Sequence, residues 1–190
     1  ELKDGTEKSI NALLIDSPGE ITIKENADHF VKRERVQGIC SSCSATALLT
    51  LQVNAPAGGA GHRTSLRGGG PLTSLVVLDP MGSGLKSDAL WYKLWLNVLD
   101  RRLAEGNHPG NEALDQIFPW MGPTRTSQPK DGKNTYPADV NFLQAYWGMP
   151  RRIRLDFEGT QEGICDLCAS RSPALITHYV TKPYGTNYEG

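Results

Sequence analysis

No apolar run in the 190-residue sequence approaches the roughly 18 residues needed to span a bilayer, and no charged start followed by an apolar stretch marks a secretory leader. The cytoplasm is therefore the expected compartment, with no membrane partner. Catalytic signatures are missing as well. There is no Gly-x-Ser-x-Gly, no His-Glu-x-x-His and no pair of histidines at ligand spacing, and the carboxylates are scattered. Catalytic residues need not be neighbours in sequence, but the absence lowers the weight of an enzyme reading. Excess charge of either sign is lacking too: a formal net charge of -1 excludes a uniformly basic nucleic-acid coat and leaves room only for local positive patches. Cysteine is scarce, with four in the whole chain.

Those four stand in two pairs of identical spacing, Cys40-Ser41-Ser42-Cys43 and Cys165-Asp166-Leu167-Cys168. Four thiolates suit tetrahedral coordination of a structural Zn²⁺ and leave no open position for water or substrate. A local zinc ribbon separates its pairs by roughly 15 to 20 residues. Here the metal would instead close a loop holding most of the chain. Two disulfides would need an oxidising compartment, and a redox-active Cys-x-x-Cys usually occurs once, before a helix. Both remain alternatives to zinc.

The chain is long enough to bury a core, and 20 Gly with 12 Pro imply many loops. The expected fold class is α+β, mixed strands and helices with long loops closed by a Cys₄ zinc site, in one domain. Residues 1–36 would be a mobile N-terminal helix and loop and 37–190 the core. Ile10 to Ile15 suggests the helix, which Ser17-Pro18-Gly19 breaks, and residues 17–36 suggest a mobile loop with a basic end at Lys32, Arg33 and Arg35. Ser44 is placed to cap a helix through Leu51 that ends before Pro56. Leu72 to Leu78 has strand character. Trp91, Leu94, Trp95, Val98 and Leu99 fall on one helical face expected to be core, with Ser87 as a possible cap. Residues 106–137 look irregular. Asp139 is expected to cap a short helix carrying Phe142 to Trp147, Arg151 to Phe157 to form a strand, and Ala174 to Thr181 another.

Between Ala57 and Pro71 lie six glycines and two arginines. Glycine admits positive φ and close approach to another surface, and Arg63 and Arg67 suit bidentate phosphate contact. It is not a P-loop, because Gly61 is followed by His62-Arg63 and not by Lys-Ser/Thr. A pair of plain connector loops is the competing interpretation.

Several segments together resemble the large subunit (CasA) of the type I-E CRISPR surveillance complex, Cascade. They are Cys40-x-x-Cys43-Ser-Ala-Thr-Ala-Leu, Asn54-Ala55-Pro56, Ser65-Leu66-Arg67-Gly68-Gly69-Gly70-Pro71-Leu72-Thr73, Tyr146-Trp147-Gly148-Met149-Pro150-Arg151-Arg152-Ile153, Cys165-x-x-Cys168 and Lys182-Pro183-Tyr184-Gly185. The resemblance implies an internal fragment of that subunit's first domain and a protein that is not an enzyme. It implies double-stranded target DNA, the guide RNA's 5′ handle, other Cascade subunits and a helicase-nuclease as partners. Its role would be to recognise the protospacer-adjacent motif and help start strand separation. The family's glycine loop, which approaches the minor groove, corresponds to Ala57, Gly58, Gly59, Ala60 and Gly61, with Ala60 departing from the glycine pattern. Lys182 is the candidate for its lysine finger, placed to within a residue. Arg63 and Arg67 are candidate phosphate contacts, and Thr22 to Phe30, including Asp28 and His29, correspond to a loop touching the RNA handle. The rivals are a zinc-stabilised protein-interaction scaffold and a nucleotide-binding or transferase enzyme built on the Gly-rich loop.

Overall fold

Short apolar runs alternating with turn residues cannot make long elements, and the fold is accordingly assembled from short ones around a small core. The computed structural model describes residues 2–28, 35–54, 58–59, 61–65, 76–77, 79, 89–98, 100 and 113–189. A three-stranded antiparallel sheet carries the centre, in the order β1 (Thr6–Ser9), β6 (His178–Lys182), β3 (Arg152–Leu155). Its register pairs Thr6 with Thr181 on one side of β6 and Arg152 with Lys182 on the other. β2 (Asn134–Thr135) and β7 (Asn187–Tyr188) make a small parallel pair, and β4 (Gln161–Ile164) and β5 (Arg171–Leu175) an antiparallel hairpin.

The mixture of helices and strands agrees with the α+β expectation, while several elements differ from it. The run from Ile10 to Ile15 is not a full helix. A 3₁₀ turn, Ile10–Leu13, follows directly from β1, and its residues Ile10 and Leu13 are completely buried. The strand ends at Ser9, and only the Ile10 N–H continues the contact, donating to the Thr177 carbonyl at 2.7 Å. Within the expected mobile loop, α1 (Glu20–Lys24) forms, beginning after Gly19, and Lys8 on β1 pairs with Glu20. The basic Lys32 and Arg33 lie outside the described residues.

α2 (Ser41–Asn54) begins earlier than expected. Ser44 is therefore not its cap: it lies inside the first turn, wholly buried, with its hydroxyl donating to the Cys40 carbonyl at 3.0 Å. Ala47, Leu48 and Leu51 lay one side of α2 on a core of Ile10, Leu13, Val36, Ile39, Cys165, Ile176 and Tyr179. The stretch expected as one strand, Ala174 to Thr181, is divided between β5 and β6. Between them Ile176 exchanges both backbone hydrogen bonds with Ile39, at 2.8 and 3.1 Å. Of the strand from Arg151, Ile153 and Leu155 pack on the core as expected, but Phe157 is exposed and Arg152 is buried.

The Trp91 face differs most. α3 (Leu90–Trp95) forms, yet Trp91, Leu94, Trp95 and Val98 are all more than half exposed, with the two tryptophans stacked at 5.4 Å. Periodicity shows that a face is apolar, not what covers it. Ser87, Leu99 and most of Leu72 to Leu78 lie outside the described residues. Within 106–137, α4 (Leu114–Ile117) and a 3₁₀ turn at Pro119–Met121 bring Phe118 and Trp120 against Trp147, with ring centroids 5.4 and 6.0 Å from it. Asn141, not Asp139, caps the 3₁₀ turn Phe142–Tyr146, accepting from Leu143 N–H at 2.9 Å. Asp139 instead accepts from the Tyr136 N–H and from Arg125.

Because Leu13 is 0% exposed and central to this core, Leu13→Ala is expected to destabilise the chain by about 2–5 kcal/mol, through lost burial and a residual cavity. Urea unfolding followed by fluorescence measures it, with the midpoint falling and the slope unchanged.

Candidate metal centre and glycine-loop edge

Each cysteine pair is presented by a different local device. Cys40 directly precedes α2, its carbonyl accepting the Ser44 N–H at 2.9 Å, so the first pair sits at the start of a helix whose dipole favours negative charge. The second pair forms the turn of the β4–β5 hairpin. Cys165 N–H donates to the Ser170 carbonyl and Ala169 N–H to the Cys165 carbonyl, both at 2.9 Å, with Ala169 in the left-handed region at φ 58°.

These two devices bring all four sulfurs within 4.8 Å of one another, with Cys40 Sγ and Cys168 Sγ 3.8 Å apart. Sulfurs bound at about 2.3 Å around a tetrahedral ion lie about 3.8 Å from each other. The donor set and its spacing therefore fit a single thiolate-bound metal ion. Burial pushes the Cys43 thiol up to about 12, with its hydrogen bonds to the other three sulfurs adding to the effect. Burial also raises Cys165, but backbone N–H groups of Cys168, Cys40 and Leu167 outweigh it and hold the group down to about 6. The Cys40 N–H reaches Cys165 Sγ at 3.3 Å. Such a crowd of sulfurs cannot all be anionic without a cation between them, which a divalent metal would supply.

Asp166 was not legible as a functional residue, and it ties the two halves together. Its Oδ2 accepts the N–H groups of Gln37 at 2.7 Å and Gly38 at 2.8 Å, while its own N–H donates to the Gly38 carbonyl at 3.0 Å. A short acceptor between two cysteines was the only signal, and its partners stand more than a hundred residues away.

Away from the sulfurs, the structure places part of the glycine loop against the turn that follows Lys182. Tyr184 N–H donates to the Gly61 carbonyl at 2.6 Å. Gly61 has φ +76°, and a Cβ there would lie 2.8 Å from Pro183 Cβ and 3.0 Å from the Tyr184 ring, so both conformation and space call for glycine. Gly59 also has positive φ, whereas a Cβ at Gly58 would collide with the Arg151 guanidinium. Arg63 is turned inward. Its Nε donates to Ser127 Oγ at 2.8 Å, its Nη2 to the Ser127 carbonyl at 3.0 Å, and its guanidinium lies over the Tyr184 ring. Arg63 thus braces the loop against the turn. Lys182 ends β6, three-quarters buried along its side chain, with Nζ 3.7 Å from Asp4. Ala60 and Arg67 lie outside the described residues, as do His29 and Phe30. Thr22 sits half-buried on α1 and Asp28 is buried just after it.

Asp166→Ala would leave the Gln37 and Gly38 N–H groups without their acceptor, and a cost of about 1–3 kcal/mol is expected from the unmade bonds. Thermal unfolding of the metal-loaded chain measures it, and Asp166→Asn, which keeps one acceptor oxygen, should recover part of the loss.

None of the described helices is long and apolar enough to cross a membrane. The family model described as CRISPR-associated protein Cse1 matches residues 1–190, the full length of the sequence, and the chain belongs to that family, the large subunit of the type I-E CRISPR complex Cascade.

Proposed function

We propose that this chain recognises the protospacer-adjacent motif in duplex DNA for a CRISPR surveillance complex and helps begin strand separation and recruitment of the helicase-nuclease. The observation that carries the proposal is the junction of Gly61 with Tyr184, which brings two segments distant in sequence to one edge. On that edge the backbone of Gly58, Gly59 and Gly61 enters the minor groove, and Lys182 reaches the base edges beside it. To do so Lys182 would exchange its pairing with Asp4, at 3.7 Å and solvated on the Asp4 side, for an acceptor in the groove. The minor groove offers a degenerate pattern of acceptors and one donor. Backbone approach plus one lysine therefore recognises a set of related motifs, not a single one.

The four cysteines hold a structural Zn²⁺ in this reading, and no catalytic role is assigned to the chain. The zinc chemistry is that of a closed tetrahedral thiolate site, which stabilises the fold and exposes no ligand position. α1 and the segment after it, with Thr22 and Asp28, form the surface offered to the guide RNA's 5′ handle, and the rest of the complex binds the same single domain. Arg67 contacts backbone phosphate.

The test uses the subunit assembled with its complex and duplexes with and without the motif. Lys182→Ala is expected to lower affinity for the motif duplex by tenfold or more, consistent with the ~1–3 kcal/mol of a specific base contact, while affinity for the motif-free duplex changes little. Equal loss on both duplexes would leave the chain a scaffold or a non-specific binder. Cys40→Ser is expected to lose motif affinity and thermal stability together, with zinc content falling from about one per chain. Full motif affinity in that variant would show the metal clasp to be dispensable for recognition.

A further inference from the structure

Arg151 stands at the start of the β3 segment, against Gly58 of the glycine loop. Its backbone is clamped on both sides by one side chain of α2: Gln52 Nε2 donates to the Arg151 carbonyl at 2.8 Å and Gln52 Oε1 accepts the Arg151 N–H at 3.0 Å. The guanidinium projects from this clamp to the underside of the glycine loop, where a Cβ on Gly58 would lie 2.7 Å from Nη2 and closer still to Nη1. The neighbouring residue, Arg152, stands opposite Lys182 in the β3–β6 register. His62, on the same loop, is held below its ordinary value by burial first, then by the charges of Arg151 and Lys8. Tyr179, beside Arg151, is pushed up to about 12 by burial and stays a neutral phenol.

A loop that enters a minor groove only about 6 Å wide has a phosphate backbone on either side of it. A cation fixed at the base of such a loop faces one of those backbones. Guanidinium, planar and always charged, matches phosphate oxygens in pairs, and its partial removal from water strengthens the attraction. We propose that Arg151 is a further duplex-binding residue, presenting its guanidinium from beneath Gly58 to a DNA backbone phosphate flanking the motif, with Gln52 as its positioning residue. The inference rests on the motif-recognition reading of the glycine loop and adds a contact to it.

The assembled complex is titrated with motif duplex across a series of KCl concentrations, and with duplexes in which single flanking phosphates are replaced by neutral methylphosphonate. R151Q is expected to weaken binding about tenfold and to reduce the slope of log K against log salt by about 0.9, the value of one phosphate contact. At one flanking position the methylphosphonate should weaken the wild-type complex and leave R151Q indifferent. R151K, which keeps charge and bulk and guards against a folding failure of R151Q, should show a smaller coupling at that same phosphate. A salt slope unchanged in R151Q, or the same coupling at every phosphate for wild type and R151K, overturns the proposal whatever the change in affinity. If the wild-type complex itself ignores the motif, the reading of the glycine loop has failed. If it discriminates and only the coupling at residue 151 is missing, this inference alone has failed.

Discussion

The convergence of two cysteine pairs from opposite ends of the chain is the constraint on which the remaining structure depends. Cys40 and Cys165 are 125 residues apart in sequence, and holding them together closes a loop of that size. A covalent link over about 100 residues is worth about 4–5 kcal/mol by the chain-entropy argument, and a bound metal acts on the same term. The small core depends on the same meeting: Cys165 is 1% exposed and belongs to the cluster formed by Ile10, Leu13, Ile39 and Ile176. Metal site and core are not separate layers. The sulfurs occupy one side of the space that the aliphatic side chains fill from the other.

From that point two routes lead to the glycine-loop edge. One runs along α2, which starts at the first cysteine pair and ends near Gln52, whose amide grips the backbone of Arg151 below Gly58. The other follows the β4–β5 hairpin from the second pair through Ile176 into β6, which ends at Lys182. The two routes rejoin where the Gly61 carbonyl meets the Tyr184 N–H. Both sides of that junction are thus tied, through α2 and through β6, to the sulfurs. Arg63 and Ser127 add a third strut, tying the loop to the segment that carries β2.

How much was legible in the sequence follows from the range of each signal. The cysteine pairs were legible because four identical ligands at matched spacing carry their meaning without knowledge of the fold. The helix after Cys43 was legible because its residues favour helix locally, although its start was misplaced: Ser44 has capping chemistry, but the backbone of Cys40 already occupies that position. β1 and the division of Ala174–Thr181 into two strands were not legible, since each depends on a partner strand far away in sequence. The internal contacts of Arg63 were not legible either, since Ser127 and Tyr184 lie more than sixty residues further along the chain. Asp166 and Gln52 escaped for the same reason. Their roles lie in the distant backbone groups they satisfy.

Charge behaves differently at the scale of the chain and at the scale of the edge. A net of -1 describes a neutral protein, while Lys8, His62, Arg63, Arg151, Arg152 and Lys182 gather around the loop and the end of β6. Three of these side chains have polar partners of their own: Lys8 has Glu20, Arg63 has Ser127 and Lys182 has Asp4. Holding a long basic side chain in place removes rotamer freedom before a ligand arrives, so less is lost on binding. The partners differ in how firmly they hold. Arg63, hydrogen-bonded to a buried serine and stacked on an aromatic ring, is a fixed part of the scaffold. Lys182 lies 3.7 Å from an almost fully solvated Asp4. The difference follows from what each side chain meets: a buried serine and an aromatic ring for Arg63, a solvated carboxylate for Lys182.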